Sequence, residues 1–184
     1  CFYDQVSLTV HSPLAPFCQS VMNSIVREEG MRLGQADLNV VHVECDEPRI
    51  TDDIIIVKTL SPITVYSTMF RSDGRKFTHY FHPQDPDCAA LIQKNMLKKY
   101  NLVYQSVPSS ARCDIKPVGK YREKVMVYKG IVIKGYTGRF KLSADDKRLL
   151  TLALDAGLGP KGSQGFGCVQ PIYSVKGGEK RYAR

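Results

Sequence analysis

The chain of 184 residues has no tryptophan, only four histidines and no apolar run of membrane-spanning length; its densest apolar stretch, Ile54 to Val57, is strand-sized. Its six cysteines, Cys1, Cys18, Cys45, Cys88, Cys113 and Cys168, include no CxxC pair, which argues against a zinc site. Several lie in apolar segments, as buried thiols of a reducing compartment do. No basic-then-apolar leader opens the chain, so no signal peptide is expected, and Cys1 in place of Met reads as a first residue that is not the native start. No basic amphipathic helix stands out, so a membrane is not an expected partner.

What is present is positive charge, unevenly spread. Residues 1–92 carry 7 Lys/Arg against 12 Asp/Glu, whereas residues 93–184 carry 19 against 6. A strongly basic half on a chain that is 43% hydrophobic, enough for a core, suggests a polyanionic partner; the plainer alternative is a solvated basic surface.

Alternation at Phe2, Val6, Leu8 and Val10 predicts a strand stopped by His11-Ser12-Pro13. Helical spacing from Phe17 to Glu28, with Gly30 just beyond, predicts a helix, and Leu38 to Val43 a further strand. Ile54 to Leu60 has β-branched residues on both faces and reads as a central strand. Ser72-Asp73-Gly74 marks a hairpin whose return strand is Phe77 to Phe81. Pro86 opens a helix that packs Ala90, Leu91, Met96 and Leu97 and turns Lys94, Lys98 and Lys99 to water. Strands are expected at Asp114 to Tyr121, Lys124 to Lys134 and Arg139 to Leu142, with Gly135 to Gly138 as a turn. Asp145-Asp146 suits the start of a last helix whose buried face is Leu149, Leu150, Leu152, Ala153 and Ala156, and Cys168 to Tyr173 is the final strand. This order fits an α+β fold of tandem ferredoxin-like (RRM-like) repeats, the first incomplete. The expected divisions are 1–53, the C-terminal part of the first repeat, 54–173, the second repeat, and 174–184, a flexible tail or linker.

Between the last helix and last strand lie five glycines in eleven residues: Gly157, Gly159, Gly162, Gly165 and Gly167. Glycine permits positive φ and close backbone approach, and successive N–H groups in such a loop can cradle an anion. Lys161 adds charge; Ser163 and Gln164 add neutral donors. No Lys-Ser/Thr pair closes the segment, and it follows a helix rather than opening one, so P-loop and dinucleotide patterns both fail and no nucleotide cofactor is expected. The alternative is a connection that needs glycine only to turn.

The helix Lys147 to Ala156, the glycine loop and the closing strand resemble the C-terminal signature of the CRISPR repeat-RNA endoribonucleases of the RAMP superfamily. Val6 to Pro13, Thr59 to Val65, Thr78 to Pro83 and Lys129 to Phe140 resemble further segments of that family. The resemblance implies tandem ferredoxin-like repeats in a prokaryotic cytoplasm, binding CRISPR repeat RNA. It also implies metal-independent cleavage, in which the ribose 2′-OH attacks the neighbouring phosphate and leaves a 2′,3′-cyclic phosphate and a 5′-hydroxyl. The family's usual catalytic histidine lies in a segment upstream of the strand that Phe2 to Val10 matches, so no catalytic base is assigned here, and no metal or other cofactor.

The expected RNA-binding residues are Gly157, Gly159, Lys161, Gly162, Ser163, Gln164, Gly165 and Gly167 of the loop. With them come Lys120, Arg122, Lys124, Lys134, Arg139 and Lys141, basic groups interleaved with Tyr121, Tyr128 and Tyr136. His11 and His42 read as turn and structural residues; His79 and His82 read as packing or surface residues, with RNA contact and catalysis as the alternatives. Two alternatives stay open beside the enzyme: a non-cleaving RNA-binding subunit of a CRISPR effector, with other CRISPR-associated proteins as partners, and a module of a CRISPR adaptation fusion. An unrelated ferredoxin-like domain is the remaining one.

Overall fold

The computed structural model describes residues 5–28, 30–46, 48–176 and 179–182, the last strand pair by its backbone alone. The chain divides into two compact units at Arg49 and Ile50.

In the first unit, helix α1 (Ala15–Glu28) is followed by a hairpin of β1 (Gly30–Leu33) and β2 (Ala36–Asn39). The helix follows the sequence expectation, but no residue of it is buried. Two strand expectations fail. Residues 5–10 form no strand, and Phe2 falls outside the described residues. Alternation supplies one face of a strand, but no strand among the described residues pairs with this segment, and Val6, Leu8 and Val10 remain exposed. The expected strand Leu38 to Val43 ends at Asn39, because β2 is set by a tight turn at Gly34 (φ +64°) rather than by the apolar run that follows; His42 is accordingly exposed outside any strand.

The second unit carries the core. Strand β3 (Ile54–Thr59) is followed by the hairpin β4 (Tyr66–Phe70) and β5 (Lys76–Tyr80), helix α2 (Pro86–Tyr104) and strands β6 (Cys113–Tyr128) and β7 (Ile131–Ala144). Helix α3 (Lys147–Ala156) and strand β8 (Val169–Pro171) complete it. The sheet order is β6-β7-β3-β8 with every neighbour antiparallel, the βαββαβ arrangement of a ferredoxin-like domain into which the β4–β5 hairpin is inserted. β3 is interior, as its two-faced β-branched pattern predicts. Ile55 and Val57 of β3, Phe140, Leu142 and Ala144 of β7, Cys113 and Ile115 of β6 and Val169 of β8 share one face of the sheet. They form one buried cluster with Ile92, Met96 and Tyr100 of α2 and Leu149, Leu150, Leu152 and Leu154 of α3.

The β6–β7 pair departs most from expectation. The turn is Lys129-Gly130, both at positive φ, so the two strands form one long hairpin. The glycines expected to turn, Gly135 and Gly138, lie inside β7. A Cβ at Gly135 would sit 2.8 Å from Thr64 Oγ1 and 2.9 Å from Pro62 Cβ, and one at Gly138 would sit 2.8 Å from Tyr121 Cβ. Glycine here marks close approach, not a bend. A bulge between Val118 and Arg122 shifts the register of β6, so the face shared by Lys120, Arg122 and Lys124 in simple alternation is broken at the bulge. Beyond the domain, β9 (Tyr173–Lys176) pairs with β10 (Glu179–Tyr182), where a tail was expected.

Candidate nucleic-acid interface

The glycine loop has two tiers. The lower tier is buried: Gly157, Leu158, Gly159, Phe166 and Gly167. It is stitched to the segment after β3. Gly167 N–H donates to Pro62 O at 2.9 Å, Leu158 N–H to Gly167 O at 2.8 Å and Cys168 N–H to Ser61 Oγ at 2.9 Å, while the Leu60 N–H reaches Cys168 O at 2.8 Å. A Cβ on Gly159 would meet Thr64 O at 2.5 Å, one on Gly157 would meet Gly167 O at 2.9 Å, and one on Gly167 would run into Leu158 O. These three glycines are therefore required by the crossing of two backbone segments.

The upper tier runs from Pro160 to Gly165 and reaches solvent, with Ser163, Gln164 and Gly165 exposed. A single 3-10 turn, Gly162–Gln164, shapes it. Lys161 O accepts from Gln164 N–H and Phe166 N–H, and Gly162 O accepts from Gly165 N–H. Because a trans peptide sets its N–H opposite its C=O, the N–H groups of Gly162 and Ser163 point away from that internal network. Gly165 has φ +81° and open space around its Cα. Lys161 Nζ donates to Gln164 Oε1 at 3.2 Å and lies 4.9 Å from the centre of the Tyr66 ring.

One residue beneath the loop was misread from the sequence. Lys99, expected to face water, is part-buried, and its Nζ donates to Ala156 O (2.9 Å), Gly157 O (2.7 Å) and Gly159 O (3.0 Å). Burial pushes its ammonium down to about 8. Helical spacing alone cannot reveal a partner nearly 60 residues away.

The second basic region is the sheet face opposite α2 and α3. Register places Lys58 of β3 beside Arg139 of β7, and Lys141 of β7 beside Lys116 of β6, all four exposed. Arg139 and Lys141 share this face, as alternation predicts; Lys58 and Lys116 join them only once strand order is known. Lys58 is adjacent to Thr59, the last residue of β3, whose Oγ1 accepts from Gly138 N–H of β7 at 3.0 Å. Arg122, Lys124 and Lys134 lie on the outer part of the β6–β7 hairpin and Lys120 at its bulge, all exposed. Lys134 is paired with Glu123 at 3.6 Å, so its charge is partly spent within the protein.

Two histidines, His79 and His82, make ring contacts. His79 meets the edge of Phe81, and His82 stands among Tyr121 and Tyr136, with ring centres 5.3 and 5.2 Å away. His82 Nδ1 accepts from Gln84 N–H at 3.3 Å and Nε2 is 3.3 Å from the Tyr121 hydroxyl. Tyr136 donates to Glu123 Oε2 at 2.9 Å, and burial together with that bond pushes its phenol up to about 12. Cys88 and Cys113 are buried thiols pushed up to about 11, chiefly by burial, whereas Cys45 is exposed.

A four-stranded antiparallel sheet with one basic face, and a glycine-rich bridge between its last helix and last strand, defines an α+β domain of the ferredoxin-like class. Solved structures agree on the fold. The product of a Cas6-related gene from Pyrococcus furiosus superposes with a TM-score of 0.77 at 22% identity, over 88% of this chain and 65% of that one. A RAMP protein that binds different RNA substrates superposes at 0.75 and 18% identity, over 88% of this chain and 66% of that one. The model of the family "CRISPR associated protein Cas6, C-terminal" matches residues 45–171, well over half of the sequence, and the chain belongs to that family. A CRISPR-associated endoribonuclease Cas6 from Methanocaldococcus jannaschii is 26% identical over 165 residues, 88% of this chain. The chain spans 62% of the length of that relative. No helix among the described residues is long and apolar enough to cross a membrane.

Proposed function

We propose that this chain grips CRISPR repeat RNA for endonucleolytic processing, with the upper tier of the glycine loop against the phosphate backbone. The observation that carries this reading is the exposed tip from Pro160 to Gly165, bearing Lys161 and outward N–H groups, on a rigid buried frame. The basic strand pair supports the rest of the strand. Arg139 and Lys141, joined by Lys58 and Lys116, neutralise phosphates on the open face, and Lys120, Arg122 and Lys124 do so along the hairpin. Gly157, Gly159 and Gly167 hold the frame, so direct contact belongs to Lys161, Gly162, Ser163, Gln164 and Gly165.

The chemistry we assign is attack by the ribose 2′-oxygen on phosphorus, with the 2′-proton removed and the 5′-oxygen leaving as a hydroxyl. A 2′,3′-cyclic phosphate remains. In this reading the loop and its lysine steady the charge of the phosphorane, and none of the four histidines serves as the base.

Incubation with a repeat RNA in EDTA tests the cleavage arm. A product ending in 2′,3′-cyclic phosphate supports it, a cut that requires Mg²⁺ overturns the mechanism, and tight binding without any cut by a protein that carries the family's upstream histidine segment favours a non-cleaving RNA-binding subunit. Gln164→Glu tests the loop arm. It adds one negative charge at the exposed tip at nearly constant volume and is expected to weaken RNA binding about fivefold to tenfold without changing thermal stability. Unchanged affinity removes the loop tip from the interface.

A further inference from the structure

A glycine loop that follows a helix starts with an electrostatic handicap. The C-terminal carbonyls of α3 carry the negative end of the helix dipole and point toward the loop, the reverse of a phosphate site at a helix N-terminus. A polyanion approaching the tip meets that field.

Lys99 stands between the two. Its ammonium has three N–H donors and no acceptor, and three carbonyls take all of them: Ala156 O at the end of α3, then Gly157 O and Gly159 O in the loop. A Cβ at Gly162 would lie 3.9 Å from Nζ, so the positive charge sits close to the start of the tip. With every proton committed, Lys99 has none left for a phosphate and acts only through the loop. Resting on the RNA-gripping reading above, we propose that Lys99 is a positioning residue that cancels the carbonyl end of α3 and makes the glycine loop receptive to an RNA phosphate.

The charge is removable at moderately alkaline pH, since burial lowers the ammonium to about 8. The groups meeting Nζ are neutral carbonyls. The charged residues nearest along the three elements are Lys98 on α2, Asp155 on α3 and Lys161 in the loop, and burial is what lowers the ammonium.

The test uses the full chain and a fluorescein-labelled single-stranded RNA of adenines and cytosines, whose bases do not titrate between about pH 7 and about pH 9.5. Affinity is measured across that range and across a NaCl series for the wild type, Lys99→Met and Lys99→Arg. Lys99→Met is expected to weaken binding about threefold to thirtyfold, the span that a charge at a helix end commands, with an unchanged salt slope because no phosphate contact is lost. Wild-type affinity is expected to fall as pH rises through about 8, whereas Lys99→Arg, which keeps its proton, stays flat. Coincident pH profiles for wild type and Lys99→Arg overturn the proposal even if Lys99→Met folds poorly, as does a well-folded Lys99→Met that binds like the wild type. A salt slope reduced by about 0.7 in Lys99→Met also overturns it, because that marks direct phosphate contact. If the wild type shows no salt-dependent RNA binding at all, the RNA reading itself has failed, a result distinct from the others.

Discussion

Asp146 is the best-connected side chain among the described residues. As N-cap of α3 it accepts from Arg148 N–H at 3.0 Å. It also takes Arg148 Nη2 at 3.0 Å, Ser109 N–H at 3.0 Å and the Tyr100 hydroxyl at 3.2 Å. Arg148 in turn lies over the Tyr100 and Tyr104 rings. The Arg148 hydrogen bond holds the Asp146 carboxyl well below the usual carboxylate range, outweighing the opposing effect of burial. A carboxylate whose folded value is depressed stabilises fully above its unfolded value, near 4, and loses that contribution as pH falls toward the folded value. Asp146→Ala is therefore expected to cost about 2–4 kcal/mol at neutral pH, shrinking below about pH 4, in urea unfolding of wild type and variant over a pH series. An equal loss at all pH values refutes the charged cap. The cap was legible because Asp145-Asp146 precedes an apolar periodic run. Lys99 was not, since its role is defined by carbonyls that only the tertiary fold brings near.

At the scale of elements, the glycines of β7 show what sequence punctuation can and cannot say. Gly135-Tyr136-Thr137-Gly138 looks like a turn in isolation, yet Lys129-Gly130 takes the turn because both residues accept positive φ. Gly135 is glycine for lack of room. Gly135→Ala is expected to destabilise the domain by about 1–3 kcal/mol in chemical denaturation, because its methyl would press on Thr64 and Pro62. A neutral result would mean that the segment after β3 yields easily and does not clamp the loop. The same contrast divides the glycine loop itself. Its helix–strand setting is written in the sequence, but its separation into a buried frame and an exposed tip depends on Ser61, Pro62 and Thr64 crossing beneath it. The interior strand β3 was recovered from its β-branched residues on both faces, whereas the expected strand Lys124 to Lys134 is split by the turn at Lys129-Gly130. The other failed strands lie in the first unit, where no buried side chain of α1 rewards pairing.

At the scale of the whole molecule, the charge excess of the second half becomes a geometric fact on one sheet face. Lys116 faces Lys141 and Lys58 faces Arg139 across neighbouring strands, pairings that repel. A stable protein has no internal reason to place like charges opposite each other on an uncovered face, and a bound polyanion supplies one. Stability and affinity should then move in opposite directions. Lys141→Ala is expected to raise stability by about 0.2–1 kcal/mol through lost repulsion, while weakening RNA binding and lowering the salt slope by about 0.7. Thermal unfolding and anisotropy titrations over a salt series measure the two. Lys116→Ala, its cross-strand neighbour, should behave alike, and the double variant should gain less stability than the two single gains combined, since either change alone already removes their mutual repulsion. If both variants gain stability with affinity and slope untouched, the face repels itself for some cause other than RNA. If they lose stability, the pairings are shielded within the protein and the electrostatic argument for this face fails.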